Sequence, residues 1–244
     1  MSTQEAGASV HRVDRTELAG LAQTLETRSA EDILRWAADR YTPKLTCASS
    51  LGIEDCVLID MMARAKLPID LFTLDTDLLF PETYALWRQI EARYGVTIRP
   101  VRPERSVAEQ AAREGAELWL REPDRCCDLR KMQPLARTLA TFDAWITAIR
   151  REQTPERAIA PVVVWDGRFG LVKINPLVRW TFDEVKAYAA EHDVPYNPLH
   201  DQGYPSIGCV PCTSQVKPGE DPRSGRWRGN EKTECGLHLR EVKT

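Results

Sequence analysis

No apolar run in the 244-residue sequence approaches the ~18 residues a helix needs to cross a bilayer, so the chain offers no membrane anchor. The segment from Met1 to Val10 is polar and lacks the basic and apolar stretches of a secretory signal. Both absences predict a cytoplasmic protein. Basic excess is missing too: 33 Lys and Arg against 36 Asp and Glu give a net charge of -3. That excludes bulk attraction to nucleic acid or to an anionic membrane and leaves only local basic clusters, suited to small anions. The glycine-rich signatures GxGxxG and GK[ST] do not occur, and neither do internal repeats or low-complexity tracts. Seven cysteines, an odd number in a chain with no export signal, argue against a disulfide framework and for reduced thiols with metal or redox chemistry.

What is present is an alternation of strands and helices. With 43% hydrophobic and 28% charged residues, the chain can bury one full core, as one large domain or one domain plus a tail. Residues 1–14 are expected to be disordered, 15–200 to form an α/β domain, and 201–244 to form a C-terminal segment rich in Pro, Gly and charge, without a sustained period. After residue 14 an amphipathic helix is expected, with Ser29 and Asp32 as its cap. Strands are predicted at 45–48, 69–74, 96–101 and 142–149, with a hairpin of 162–165 and 171–174 around Asp166-Gly167. Helices are predicted over 56–65, from Pro81 to Tyr94 with Gly95 as the stop, and after the capping boxes Ser106–Glu109 and Thr181–Glu184. Strands alternating with helices in this order predict a doubly wound, mainly parallel sheet.

Two strand ends and five cysteines carry the chemistry. The first strand runs into Ser49-Ser50-Leu51-Gly52-Ile53-Glu54-Asp55 and then a helix, where small residues and free amides could receive an anion, or where Ser and Asp could act only as caps. The second ends in Leu74-Asp75-Thr76-Asp77 and opens onto the same crevice. Cys126-Cys127 and Cys209-Val-Pro-Cys212 form two close pairs, which suit tetrahedral zinc or an iron-sulfur centre. Side chains at adjacent helical positions diverge by about 100°, which is awkward around one zinc ion and easier around separate irons, so a 4Fe-4S cluster is preferred. Cys47 and Cys56, on a strand and its helix, read as small buried hydrophobes. Cys235, in Glu234-Cys-Gly-Leu-His238, has Arg223, Arg226, Arg228 and His238 nearby to favour a thiolate, although Glu231 and Glu234 oppose them; alone, the segment reads rather as a loose tail.

Taken together, these segments resemble the assimilatory adenylyl-sulfate (APS) reductases, within the wider phosphoadenylyl-sulfate (PAPS) reductase family. The motifs that carry the resemblance are the 49–55 loop, Leu74–Asp77 with Phe80-Pro-Glu-Thr83, the four paired cysteines, Ile149–Arg157 and Glu234–His238. Asp77 stands where the family usually has glycine. The resemblance implies an adenine nucleotide alpha hydrolase-like fold with a mobile C-terminal tail, and a 4Fe-4S cluster on Cys126, Cys127, Cys209 and Cys212 that orders and tunes the site. It implies that Cys235 attacks the sulfur of APS, leaving an S-sulfocysteine from which thioredoxin releases sulfite. It also implies substrate contacts from Ser49, Ser50, Gly52, Glu54, Asp55, Leu74, Thr76, Lys131, Arg150, Arg151, Arg157, Arg223, Arg226 and His238. In the family the four-cysteine set accompanies use of APS. The competing readings are a PAPS-preferring reductase and a non-catalytic iron-sulfur redox sensor; self-association is allowed.

Overall fold

The computed structural model describes residues 15–230 together with 232, 234, 236 and 237. Cys235, His238 and the segment 1–14 lie outside the described residues. Two helices precede the sheet where the sequence predicts one: α1 (Arg15–Leu25), then α2 (Ala30–Tyr41), which begins where the Ser29 side chain accepts the Asp32 amide N–H. Each following strand hands the chain to a helix: β1 (Leu45–Ser49) to α3 (Ile53–Arg64), and β2 (Asp70–Leu74) to α4 (Pro81–Tyr94). Pro81 opens α4, and Gly95 closes it at φ 63°, a left-handed conformation glycine adopts without strain. After β3 (Ile98–Val101), Ser106 and Glu109 cap each other at the start of α5 (Val107–Glu114). A helical stretch continues through α6 (Leu118–Arg121), α7 (Pro123–Cys127), a π-helical turn (Asp128–Met132) and α8 (Gln133–Leu139). The chain then forms β4 (Ala144–Ile146), β5 (Val163–Asp166), β6 (Leu171–Ile174) and α9 (Phe182–Glu191).

The six strands lie in the order β3-β2-β1-β4-β6-β5, parallel except for β5, which runs antiparallel at one edge. Strand alternation sends Cys47, Leu71, Ile98, Ile146 and Val172 to one face, where α2, α3 and α9 cover them. Phe72, Trp145 and Leu171 go to the other face, against Leu135 and Leu139 of α8. Burying one such side chain contributes roughly 1.5–3 kcal/mol, and covering both faces is what a mainly parallel sheet requires. Cys47 and Cys56 lie in this core, and burial raises both thiols well above the usual range, as expected of inert packing residues.

Several boundaries differ from the sequence reading. The turn after β1 is shorter and α3 starts at Ile53 rather than Cys56, because Asp55 reaches back to the loop and Gly52 serves as the cap position. The fourth strand spans 144–146 rather than 142–149. The hairpin reverses over 166–170, with Gly170 at φ 72°, rather than at Asp166-Gly167. The boundary drawn at 200 falls inside a 3-10 turn (Pro198–Gln202).

Through Asn230, and again at Lys232, the described part of the C-terminal segment is tied to the body of the fold. Leu79 bridges Cys209, Thr213 bridges Arg226, Trp227 N–H donates to the Cys212 carbonyl, and Lys232 pairs with Asp124 of α7. At Gly225 a β-carbon would overlap the Ser214 carbonyl and lie 2.9 Å from a Val216 methyl. Gly225→Ala is therefore expected to cost about 1–3 kcal/mol in urea unfolding and to loosen the turn that carries Cys212.

Candidate active site

The strand order reverses between β1 and β4, and the crevice beyond their carboxyl ends is where an open α/β sheet binds ligands. On the β1 side the loop is organised by one carboxylate. Asp55 accepts the Ser50 amide (2.8 Å), the Ser50 hydroxyl (2.6 Å) and the Gly52 amide (3.3 Å), while the Ser49 hydroxyl oxygen accepts the Leu51 amide. Burial is the main cause that lifts the Asp55 carboxyl to about 6; the bonds from Ser50 and Gly52 oppose it and the Glu54 charge adds to it. The amides of Ser50, Leu51 and Gly52 thus serve as internal caps.

Across the crevice the segment after β4 forms a chain of charge-assisted bonds. Arg150 is buried and pairs with Glu54 (3.0 Å) and Glu152 (2.9 Å), and Gln153 also donates to Glu54 (2.9 Å). Arg157 donates to Gln153 and pairs with Glu234 (2.8 Å), which Arg223 reaches at 3.4 Å. Arg157 and Arg223 therefore share one buried carboxylate, that of Glu234, the chain neighbour of Cys235, which is only 6% exposed. Arg151 turns away: both of its guanidinium nitrogens bind Glu26, and its Nε donates to the Ala160 carbonyl. Arg226 donates to Ser206 and the Ile207 carbonyl and lies over the Trp227 ring, 4.5 Å from its centre. Its guanidinium lies against Gly208, where a β-carbon would have to displace it.

The end of β2 connects this crevice to the cysteines. The Thr76 hydroxyl lies 3.2 Å from Cys209 Sγ, while Leu74 packs among the apolar side chains of the second sheet face. Asp77 holds φ 56°, a backbone state that glycine favours and aspartate tolerates. Its carboxylate pairs with Arg130 at 2.7 Å, which explains how a side chain is accommodated there. Arg130 is itself buried and donates to the Thr76 carbonyl (2.7 Å), Gln110 (3.1 Å) and the Arg105 carbonyl. Gln110 in turn donates to Cys126 Sγ (3.8 Å).

The two cysteine pairs meet here. Burial pushes the Cys212 thiol up to about 11, the charges of Cys209, Cys127 and Cys126 add to that rise, and Lys131 opposes it. Burial likewise raises Cys126, with Cys209 acting on it across the gap. Four thiols and Lys131 thus lie in one electrostatic neighbourhood, a soft donor set suited to zinc or to an iron-sulfur cluster. Among the described residues, no three His, Cys, Asp or Glu side chains close on one point as ligands of a single ion.

The sequence reading missed Arg130, Gln110, Arg168, Lys173 and the pairing of Glu234 with Arg157 and Arg223. Arg168, in the β5–β6 turn, pairs with Asp166 and donates to the carbonyls of Gly236 (2.6 Å) and Leu237 (2.8 Å). The available signal was Lys173 itself, a lysine inside the apolar run Leu-Val-Lys-Ile. A separate cleft of about 460 Å³, lined by Asp70, Arg99, Arg102 and Arg137 among others, contains none of these residues.

Residues 44–215 match the phosphoadenosine phosphosulfate reductase domain family. The chain is 47% identical to an adenosine 5'-phosphosulfate reductase of Shouchella clausii, covering 93% of this chain and 95% of that one. It is 49% identical to a phosphoadenosine 5'-phosphosulfate reductase of Gloeobacter violaceus, covering 93% and 95%. Among solved structures it is similar to phosphoadenylyl-sulfate reductase from Candida auris in complex with phosphate, with a TM-score of 0.74 and 35% identity over 84% of this chain and 98% of that one. FMN adenylyltransferase of Candida glabrata, with a TM-score of 0.55 and 15% identity over 89% and 76%, shares the fold alone.

Proposed function

Because the chain belongs to the phosphoadenosine phosphosulfate reductase family, we propose that it reduces adenylyl sulfate to sulfite and AMP, with electrons from thioredoxin, in sulfate assimilation. The observation that carries this reading is Glu234 on Arg157 and Arg223: the neighbour of Cys235 sits on a pair of guanidinium groups suited to phosphate and sulfate oxygens. Relatives from several bacteria that carry the adenosine 5'-phosphosulfate reductase name, at near-full coverage, support the same substrate. Substrate lies beyond β1, β2 and β4, with Arg150, Arg157, Arg223 and Lys131 supplying positive charge.

The Cys235 thiolate forms a bond to the sulfate sulfur of adenylyl sulfate, the S–O bond to phosphate breaks, and AMP leaves with that electron pair. A thioredoxin thiolate then attacks Cys235 Sγ and expels sulfite, and the second thioredoxin thiol resolves the mixed disulfide, so thioredoxin supplies both electrons. Cys126, Cys127, Cys209 and Cys212 would hold the 4Fe-4S cluster; two close thiol pairs near one another, three of the thiols buried and Cys212 half-buried, fit it. When bound, the cluster supplies local electrostatics and a fixed anchor for the two segments. Thr76, Gln110, Arg130 and Lys131 hold the surrounding shell. No helix among the described residues is long and apolar enough to cross a membrane, and the use of reduced thiols fits a cytoplasmic enzyme.

Intact mass after mixing the holoprotein with adenylyl sulfate alone tests the reading. A sulfonate adduct confined to Cys235 is expected; iron with acid-labile sulfide but no adduct would favour the redox sensor. A PAPS preference is the second reading, favoured by the Gloeobacter relative's name. Comparing turnover on the two nucleotides, which differ by a 3'-phosphate, separates them.

A further inference from the structure

We propose that Lys173 is a positioning residue for the nucleophile, its charge balancing that of the Cys235 thiolate. The proposal rests on the reading of Cys235 as the attacking thiol. Lys173 is paired in register with Trp145 across β4 and β6, on the sheet face that also carries Leu171, and it is 6% exposed. Its Nζ stands 5.2 Å from the centre of the Trp145 ring. A lysine that met only apolar side chains would extend its head to water; this one is kept inside.

The C-terminal segment comes to the same face. Leu237 packs against the cluster of Phe72, Leu135 and Trp145, and Arg168 holds the Gly236 and Leu237 carbonyls. The charges acting on Lys173 come from every side: Asp166 of β5, Arg168 of the β5–β6 turn, Arg157 after β4, and Glu234. Groups that hold both chain neighbours of Cys235 are therefore in electrostatic contact with this amine. Burial is the main cause that lowers its ammonium to about 7, with Asp166 and Glu234 opposing and Arg168 and Arg157 adding. The thiol proton leaves to solvent and the electron pair stays on sulfur for the attack described above, with no oxidant or reductant involved.

The test is the pH profile of iodoacetamide alkylation at Cys235, read peptide by peptide by mass spectrometry on full-length holoprotein. Lys173→Met removes the charge and is expected to raise the profile's midpoint by about one pH unit, near tenfold less thiolate below it. Lys173→Arg, always charged, is expected to keep the midpoint at or below that of the wild type. A Met profile that overlays the wild type, or an Arg profile that rises with it, overturns the proposal. Should the Met variant lose its circular dichroism signal, the Arg comparison decides alone, since an upward shift there has the wrong sign. Alkylation needs no nucleotide, so an unmoved profile in a protein that still forms the sulfonate adduct removes the lysine and leaves the reaction standing; a shifted profile without the adduct does the reverse.

Discussion

Cys235→Ser is expected to reduce sulfite formation from adenylyl sulfate and reduced thioredoxin by roughly 10³-fold or more, to background, because a serine hydroxyl is a far weaker nucleophile than a thiolate at neutral pH. Nucleotide affinity should change little, since Arg150, Arg157 and Arg223 and the loop after β1 are untouched. Equilibrium binding of AMP to the variant separates loss of chemistry from loss of the site. Sulfite production near the wild-type rate would remove Cys235 from the mechanism. The other cysteines do not offer a ready substitute: Cys47 and Cys56 are core residues with raised thiol pKa values, and the remaining four lie together beyond β2.

Arg130→Ala should have the largest effect on stability, about 3–5 kcal/mol by urea unfolding. One guanidinium satisfies the Thr76 carbonyl, the Gln110 side chain, the Arg105 carbonyl and the Asp77 carboxylate. Removing it leaves the Thr76 carbonyl and the Gln110 side chain with unmet bonds in a buried place and strips Asp77 of the partner that accompanies its left-handed backbone. Arg130→Lys should recover only part of the loss, because one ammonium cannot reproduce the fork. The same variants should bind less iron per chain, measured colorimetrically, since Thr76 touches Cys209 and Gln110 touches Cys126. A loss under about 1 kcal/mol would mean that water replaces the guanidinium.

Much of the fold was legible because its signals are local. The caps at Ser29, Ser106 and Thr181, Pro81 with Gly95, and the short apolar runs between them fix where elements begin and end. The π-helical turn after Cys127 was not legible, since it depends on how the helix packs and carries no spacing signature of its own. The split into α1 and α2 was missed for a similar reason: each helix is defined by what it covers. At the site, the cysteine spacing pointed directly to two pairs, and Lys131 was placed beside them. The arginines behaved differently. Sequence counts charges but does not say which acid claims each one, so Arg151 was expected at the anion site and instead binds Glu26, 125 positions away. Glu234 and Arg157, 77 positions apart, form a pair that no local pattern predicts.

That last pair changes what it means to bind a nucleotide here. With Glu234 seated on them, Arg157 and Arg223 do not wait as bare cations; they carry a tethered counterion. Entry of an anionic ligand is then an exchange, one set of oxygens for another, and the net gain is smaller than a tally of guanidinium groups suggests. The displaced carboxylate belongs to Glu234, one peptide bond before Cys235, so on the proposed reading the exchange that admits the ligand also frees the chain beside the attacking sulfur.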